Sequence, residues 1–439
     1  MDYSPALMAD MYEYTMLDAT LQDGTADRTC VFEVFTRHLP EGRRYGVVAG
    51  TGRILDYLKD FHLSDYDLKF LRDRHIVSPQ TIQWLENFEF SGSIRGYREG
   101  EMFFPNSPIL QVEGTFGECT LLETLVLSVL NYDSAVASAA SRMTSAANGR
   151  PCMDMGGRRT NEWSAVAAAR ASMIGGFQGT ANLLAAKEYD LPAIGTAAHC
   201  FTLVHDSERQ AFESQVAALG KNTALLLDTY DVEQAVKTAV EVAGPDLGGV
   251  RIDSGDLAAL AQRVRNQLDA LGATQAKITV TNDLDEYAIA SLQTAPVDSY
   301  GVGTQLVTGS GAPTCSMVYK LVEREGADGT MMPVAKKSTN KANIPGRKLA
   351  YRSFEYNLAD CEHVIAGNRS QLDAYQPEEG WKDLLVDFVD HGEIDDTFRG
   401  HDAIMDAQNH HAEALAELPI TAQSLMRGDP VIPTEVTLL

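Results

Sequence analysis

The stretch Gly249-Val-Arg-Ile-Asp-Ser-Gly-Asp256 runs from an apolar segment into two acids, a hydroxyl and a glycine. These types suit anion chemistry. The glycine permits close backbone approach, and a helix opening behind it offers unpaired N–H groups to a phosphate. Arg251 and Asp253 alternate, so both should point to one side. The plainer reading is an N-cap with a local charge pair. Ser299-Tyr-Gly-Val-Gly-Thr304 ends a second apolar run with Gly301, Gly303 and the hydroxyl of Thr304, a pattern shared by phosphate-binding strand ends and ordinary turns. Gly195-Thr-Ala-Ala-His199 sets a histidine just past a third run, as base, nucleophile or structural histidine. In Gly156-Gly-Arg-Arg159, Arg158 and Arg159 suit a phosphate or carboxylate clamp, or a solvated or inter-subunit ion pair. Tyr12 is a type that stacks on aromatic rings, but its setting reads first as the core side of an amphipathic helix. The densest basic run, Lys336-Lys-Ser-Thr-Asn-Lys341 with Pro345-Gly-Arg-Lys348, suits a polyphosphate or a solvated loop, with the loop favoured.

Strand–helix repetition must position these residues. Apolar runs at Cys152–Met155, Leu191–Ile194, Thr223–Leu227, Gly249–Ile252, Lys277–Thr281 and Ser299–Gly303 read as strands. Helical stretches at Trp163–Ile174, Ser207–Leu219, Val232–Val242 and Leu257–Leu271 lie between them. Runs apolar along their whole length fit parallel strands buried on both faces. An open doubly wound sheet and a closed barrel both fit. Polar residues clustered after successive strands favour the barrel, whose site lies at the C-terminal strand ends. The first part of the chain reads as a separate α/β layer, with strands at Val31–Phe35, Gly46–Ala49, Phe90–Ile94 and Ile109–Val112 and helices at Thr51–Lys59 and Gln80–Phe88. Further strands are expected at Met317–Val322 and Lys348–Ser353. The expected division is an N-terminal α/β sandwich over 1–115, a catalytic barrel over 116–310, and a segment over 311–439 that returns to the N-terminal domain and ends in a helical tail.

Composition narrows the function. With 44% hydrophobic residues, the 439-residue chain can bury a sizeable core. A net charge of −25 without a dominant basic patch argues against nucleic acid and anionic membranes as partners. No apolar run approaches the ~20 residues of a membrane span. The six cysteines form no CxxC pair, which argues against a structural zinc site, and no metal-ligand set is read from them. Scattered cysteines and an N-terminus without an apolar signal core fit a cytoplasmic protein.

Taken in order, Met8-Ala-Asp-Met-Tyr12, Gly156-Gly-Arg-Arg159, Gly175-Gly-Phe177, Gly195-Thr-Ala-Ala-His199, Arg251-Ile-Asp-Ser-Gly-Asp256 and Gly301-Val-Gly-Thr304 resemble the nicotinate phosphoribosyltransferases of bacteria. The resemblance runs from about residue 6 to about residue 355. It implies a type II phosphoribosyltransferase fold, an N-terminal α/β sandwich with an irregular TIM-like α/β barrel, in a homodimer. It implies NAD salvage by reaction of nicotinate with phosphoribosyl pyrophosphate to nicotinate mononucleotide and pyrophosphate. ATP hydrolysis would be coupled through a phosphohistidine, with Mg²⁺ as cofactor. By motif, His199 is the phosphorylated residue and Asp253 an acid near the ribose and Mg²⁺. Tyr12, Thr196 and Arg251 match nicotinate contacts, and Gly303 and Thr304 a ribose-phosphate site. Ser254 and Gly255 complete the substrate-binding motif, and Arg158 and Arg159 match basic residues near the phosphates. Related nicotinamide enzymes carry Asp after the Thr of the Gly-Thr motif. Ala197 stands here, which favours the acid over the amide. A rival sugar-phosphate barrel enzyme, an aldolase or isomerase, would need a strand-end lysine or carboxylate base. A non-catalytic scaffold of the same fold is the other rival.

Overall fold

The computed structural model describes residues 4–336 and 343–439. The basic run from Lys337 to Lys341 therefore lies outside the described residues. The chain divides into two compact units, one of residues 139–311 and one of residues 1–138 with 312–439.

In the unit of residues 139–311, five short strands pair in parallel in the order Cys152–Asp154, Ser299–Val302, Lys277–Val280, Gly249–Ile252 and Ala224–Leu226. The first strand of the series thus pairs with the last, as in a ring rather than an open sheet. Single parallel bridges, Asp154↔Thr180 and Thr180↔Ala193, extend the ladder on the other side of Cys152–Asp154. Among the described residues no ladder joins Ala193 to Ala224–Leu226, and this gap is the barrel's irregularity. The strand expected at Leu191–Ile194 is accordingly only a bridge. Pro192 lacks an N–H and offers just its carbonyl, which accepts from Thr180 N at 3.0 Å.

The helices start where the sequence supplies caps. Asp231, Asp256 and Asp285 each accept from the backbone N–H three residues on, opening Val232–Ala243, Leu257–Ala270 and Glu286–Ser291. A cap directly after a strand keeps each loop short, and short loops hold the strand tips in place. Alanines at 235, 239, 243 and 261 face inward and let these helices lie close to the strands.

In the other unit, a seven-stranded sheet has the order Met331–Pro333, Met317–Glu325, Thr29–Thr36, Leu110–Thr115, Ser93–Tyr97, Leu385–Asp390 and Glu393–Ile394. Helices including Met11–Asp23, Thr51–Lys59 and Pro79–Leu85 share one apolar core with it. A four-stranded sheet is ordered Lys382–Asp383, Arg347–Glu355, Leu358–Gly367 and Thr434–Leu438. The strand expected at Phe90–Ile94 starts later, at Ser93. The Glu118 carboxylate takes both the N–H and the hydroxyl of Ser91, at 2.8 and 2.7 Å, and draws that segment off the ladder.

Within the barrel unit, Arg142 and Glu286 form a buried pair at 3.0 Å, only 4% and 2% exposed, and Ser310 donates to the second Glu286 oxygen at 2.6 Å. Removing one charge strands the other away from water. Arg142→Ala should therefore cost about 3–5 kcal/mol, read as a lowered urea midpoint. Arg142→Met with Glu286→Leu should recover most of that loss, and a double variant no more stable than Arg142→Ala would refute the pairing.

Candidate functional site

Arg251 stands at the end of the strand Gly249–Ile252, where the alternation predicted from sequence turns it toward Asp253. Its guanidinium is 15% exposed and donates in four directions. Nη1 reaches Thr196 Oγ1 at 2.8 Å and the Ala197 carbonyl at 3.1 Å. Nη2 reaches Asp253 Oδ2 at 3.1 Å, and Nε reaches Thr281 Oγ1 at 3.2 Å. Thr281 in turn donates to the other oxygen of Asp253. One side chain thus ties together the tips of three βα units. It bridges from the 195–198 loop, on the side of the ring where the ladder is broken, to the loops that follow residues 252 and 280.

His199 begins the short helix His199–Leu203 and is 41% exposed. Its Nδ1 lies 3.1 Å from Thr229 Oγ1. Its Nε2 is flanked by Asp228 Oδ1 at 3.9 Å and Asp253 Oδ2 at 3.8 Å. Asp228 is held by Asp253 N and Ser254 Oγ, which both donate to its Oδ2, at 3.1 and 2.5 Å. Its other oxygen, Oδ1, is buried without a hydrogen-bond partner among the described residues. A bare carboxylate oxygen in that position is suited to a cation or to a protonated imidazole.

These groups open on a cavity of about 790 Å³. Its walls come from the loops after residues 154, 180, 194, 252, 280 and 302, so the strand tips converge as a barrel site requires. Two features fit the walls to a ligand. A Cβ on Gly301 would fall 2.6 Å from both Met155 Sδ and Thr281 Cγ2, so only glycine fits there. Asn282 and Asp283 both carry positive φ, 100° and 45°, and line the cavity. Behind the wall, Asp154 accepts from Gly156 N at 2.8 Å and Thr180 Oγ1 at 2.6 Å. Burial raises its carboxyl pKa above the usual range despite these two bonds.

Of the residues singled out by sequence, Arg158, Arg159, Thr196, His199, Arg251, Asp253, Gly303 and Thr304 all line this cavity, both of the paired arginines being exposed. Ser254 and Gly255 do not line it. The Ser254 hydroxyl is taken by Asp228, and Gly255, at φ 80°, supplies the left-handed turn that ends the loop. Tyr12 belongs to the other unit. It is 44% exposed on the helix Met11–Asp23, not a core aromatic as its setting suggested. Partial burial and then the Glu123 carboxylate push its phenol pKa up to about 12. Sequence reasoning assigned no site role to Asp228, Thr229, Thr281 and Asp283, although each lies at the end of an apolar run or within two residues after it. An acid or hydroxyl at a strand end was the available signal. Among the described residues no lysine lines the cavity, so of the two bases that the aldolase or isomerase reading allowed only a carboxylate is present, at Asp253 or Asp283.

Arg251→Lys tests the bridge. An ammonium keeps the charge but cannot span these partners. Each charge-assisted bond lost is worth about 1.5–3 kcal/mol, so backbone amides of residues 195–199 should exchange with solvent at least about tenfold faster. Unchanged protection would show that the loop is held by other means.

Comparison with known proteins agrees with this geometry. Residues 7–131 match the nicotinate phosphoribosyltransferase (NAPRTase) N-terminal domain, and residues 151–349 match the NAPRTase family. The nicotinate phosphoribosyltransferase pncB1 of Mycobacterium tuberculosis is 49% identical over 437 residues, spanning 98% of this chain and 94% of that protein. The nicotinate phosphoribosyltransferase of Bacillus subtilis is 38% identical, over 80% of this chain and 74% of that one. In fold, the chain superposes on the crystal structure of human nicotinic acid phosphoribosyltransferase with a TM-score of 0.83 at 24% identity, covering 98% of this chain and 97% of that one. A ring of strand tips around one arginine, the two matched domains and a near-full-length relative at 49% identity lead to one conclusion: this chain belongs to the nicotinate phosphoribosyltransferase family.

Proposed function

We propose that the protein joins nicotinate to phosphoribosyl pyrophosphate, giving nicotinate mononucleotide and pyrophosphate in NAD salvage, with ATP hydrolysis coupled through phosphorylation of His199. The observation that carries this reading is the Arg251 cluster. A guanidinium held beside the Thr196 hydroxyl in a pocket fits a small planar ring bearing a carboxylate. Ala197 contributes only a carbonyl to Arg251. No side-chain acid at that position competes with a substrate carboxylate or accepts from an amide, which favours nicotinate over nicotinamide.

Bond formation at the anomeric carbon builds positive charge on the ribose as pyrophosphate departs. Arg158 and Arg159, at the exposed rim, suit the polyanion, and Gly303 with Thr304 suits the 5′-phosphate. Arg251 and Thr196 would orient the ring nitrogen toward the sugar. Mg²⁺ fits the oxygen-rich set of Asp253, Asp283 and the unpartnered Asp228 Oδ1, where it would neutralise the pyrophosphate leaving group.

For His199, the carboxylates flanking Nε2 favour a proton there, which leaves the Nδ1 lone pair as nucleophile. Transfer of the γ-phosphoryl group from ATP would release ADP, and water would later take the phosphoryl group as phosphate. The new negative charge beside Asp228 and Asp253 would strengthen the pull on a cation in the pocket. The reading includes a homodimer in the cytoplasm. The apolar side chains of Trp163 and Leu183, 67% and 75% exposed, offer surface for a second copy.

Pyrophosphate release measured with nicotinate or nicotinamide, with and without ATP, tests this. Nicotinate should be preferred and ATP should stimulate. Ala197→Asp should shift preference toward the amide by about tenfold or more, the worth of one 1.4 kcal/mol contact. Equal use of both substrates by the unaltered chain would sink the specificity argument. His199→Ala should abolish the ATP stimulation while leaving a basal rate, and stimulation that survived would remove His199 from its role.

A further inference from the structure

The four-stranded sheet carries a cluster far in sequence from the residues above. Cys361 and His363 lie two apart on the strand Leu358–Gly367, so their side chains share a face. Glu435, on the parallel strand Thr434–Leu438, is the registered neighbour of His363. A sulfur, a nitrogen and an oxygen from these three residues all lie within 4.8 Å of one another.

The hydrogen bonds around His363 give the cluster a direction. Ser353 Oγ lies 3.3 Å from the Cys361 carbonyl, and when its one hydrogen goes there it is an acceptor toward the imidazole. His363 Nε2 lies 3.0 Å from that oxygen and in this arrangement is the nitrogen that donates. Trp381 stacks on the ring at 3.9 Å with planes 6° apart and fixes its orientation. Nδ1 is left facing the Glu435 carboxylate at 3.9 Å. In the tautomer protonated at Nε2 that is a lone pair against an anion, an arrangement that a proton or a metal cation between them relieves.

We propose that Cys361, His363 and Glu435 bind a thiophilic divalent cation, Zn²⁺ by its chemistry. The donor set is one thiolate, one imidazole and one carboxylate, with a fourth position open to water. Zinc–ligand bonds of about 2.0–2.3 Å require the three donors to close up modestly. Glu435, 70% exposed, is free to make that movement. The Ser353–Nε2 contact is the outer hydrogen bond that metal-bound histidines ordinarily make. The site would pin the terminal strand Thr434–Leu438, largely exposed, to its neighbour. The absence of CxxC spacing did not reveal this set, because its ligands come from two strands brought together by register.

The test uses the full chain, stripped with chelator and titrated with Co²⁺ as a spectroscopic stand-in for Zn²⁺. One equivalent should produce thiolate-to-cobalt charge-transfer absorption, which Zn²⁺ then displaces. Cys361→Ser should abolish the band, and Glu435→Gln, at an exposed position that leaves the fold intact, should weaken binding. Ser353→Ala should cost about 10–100-fold in affinity, and Cys200→Ser should leave the band in place. Zn²⁺ should also slow amide exchange in residues 434–438. No band in the unaltered chain, a band that survives Cys361→Ser, or one that disappears only with Cys200→Ser overturns the proposal. An imidazolium–carboxylate pair without metal gives the first of these results.

Discussion

The Arg251 guanidinium is the constraint on which the site depends. The barrel's backbone ladder is interrupted between Ala193 and Ala224–Leu226, so hydrogen bonds between strands do not by themselves fix the 195–198 loop. Side-chain bonds do, from Arg251 to Thr196 and Ala197 and from His199 to Thr229. The same arginine is braced from the opposite side by Thr281 and Asp253. Geometry at the pocket mouth and charge inside the pocket therefore come from one group. A ligand carboxylate that engaged the guanidinium would act on the loop as well, because it would share donors with Thr196 and Asp253.

Charge balance bears on how so acidic a chain could take an anion. At a net charge of −25 the long-range field disfavours polyanions. The pocket lining carries three arginines against two aspartates, close to neutral, with Asp228 held just behind. On the proposed function, a divalent cation held by the carboxylate oxygens would add the positive charge that a polyanion needs. The acids are thus compatible with an anion site rather than evidence against one.

Much of this was legible in the sequence, for physical reasons that also mark where reading failed. Strands such as Gly249–Ile252 and helices such as Thr51–Lys59 sit where periodicity puts them, since it is a local signal. The convergence of Arg251, Thr196, His199 and Thr304 on one pocket followed from the rule that strand tips share a face of the barrel. Two local failures trace to single residues: Pro192, which cannot donate to a ladder, and Ser91, captured by the distant Glu118. Ser254 reads as a ligand contact from its motif, but its hydroxyl is spent on an acid 26 residues earlier. Nothing in a linear pattern announces such a partner. Tyr12 was misplaced because helical periodicity tells which residues share a face, not whether that face meets a core or solvent.

Strain shows how rigidly the pocket is built. Asn282 and Asp283 hold consecutive left-handed conformations, each costing roughly 1–3 kcal/mol for a residue with a side chain. Glycine at these positions would relieve that cost, but at 283 it would remove the carboxylate from the wall. Thr281, directly before the pair, is locked between Arg251 and Asp253, and Gly301 leaves just enough room for its methyl group beside Met155. The turn is therefore clamped at its entry, and the strained pair must follow the direction that clamp sets. A wall fixed in this way pays its ordering cost during folding, so binding need not supply it. That is the condition under which a few modest contacts to a small ring can discriminate one substituent from another.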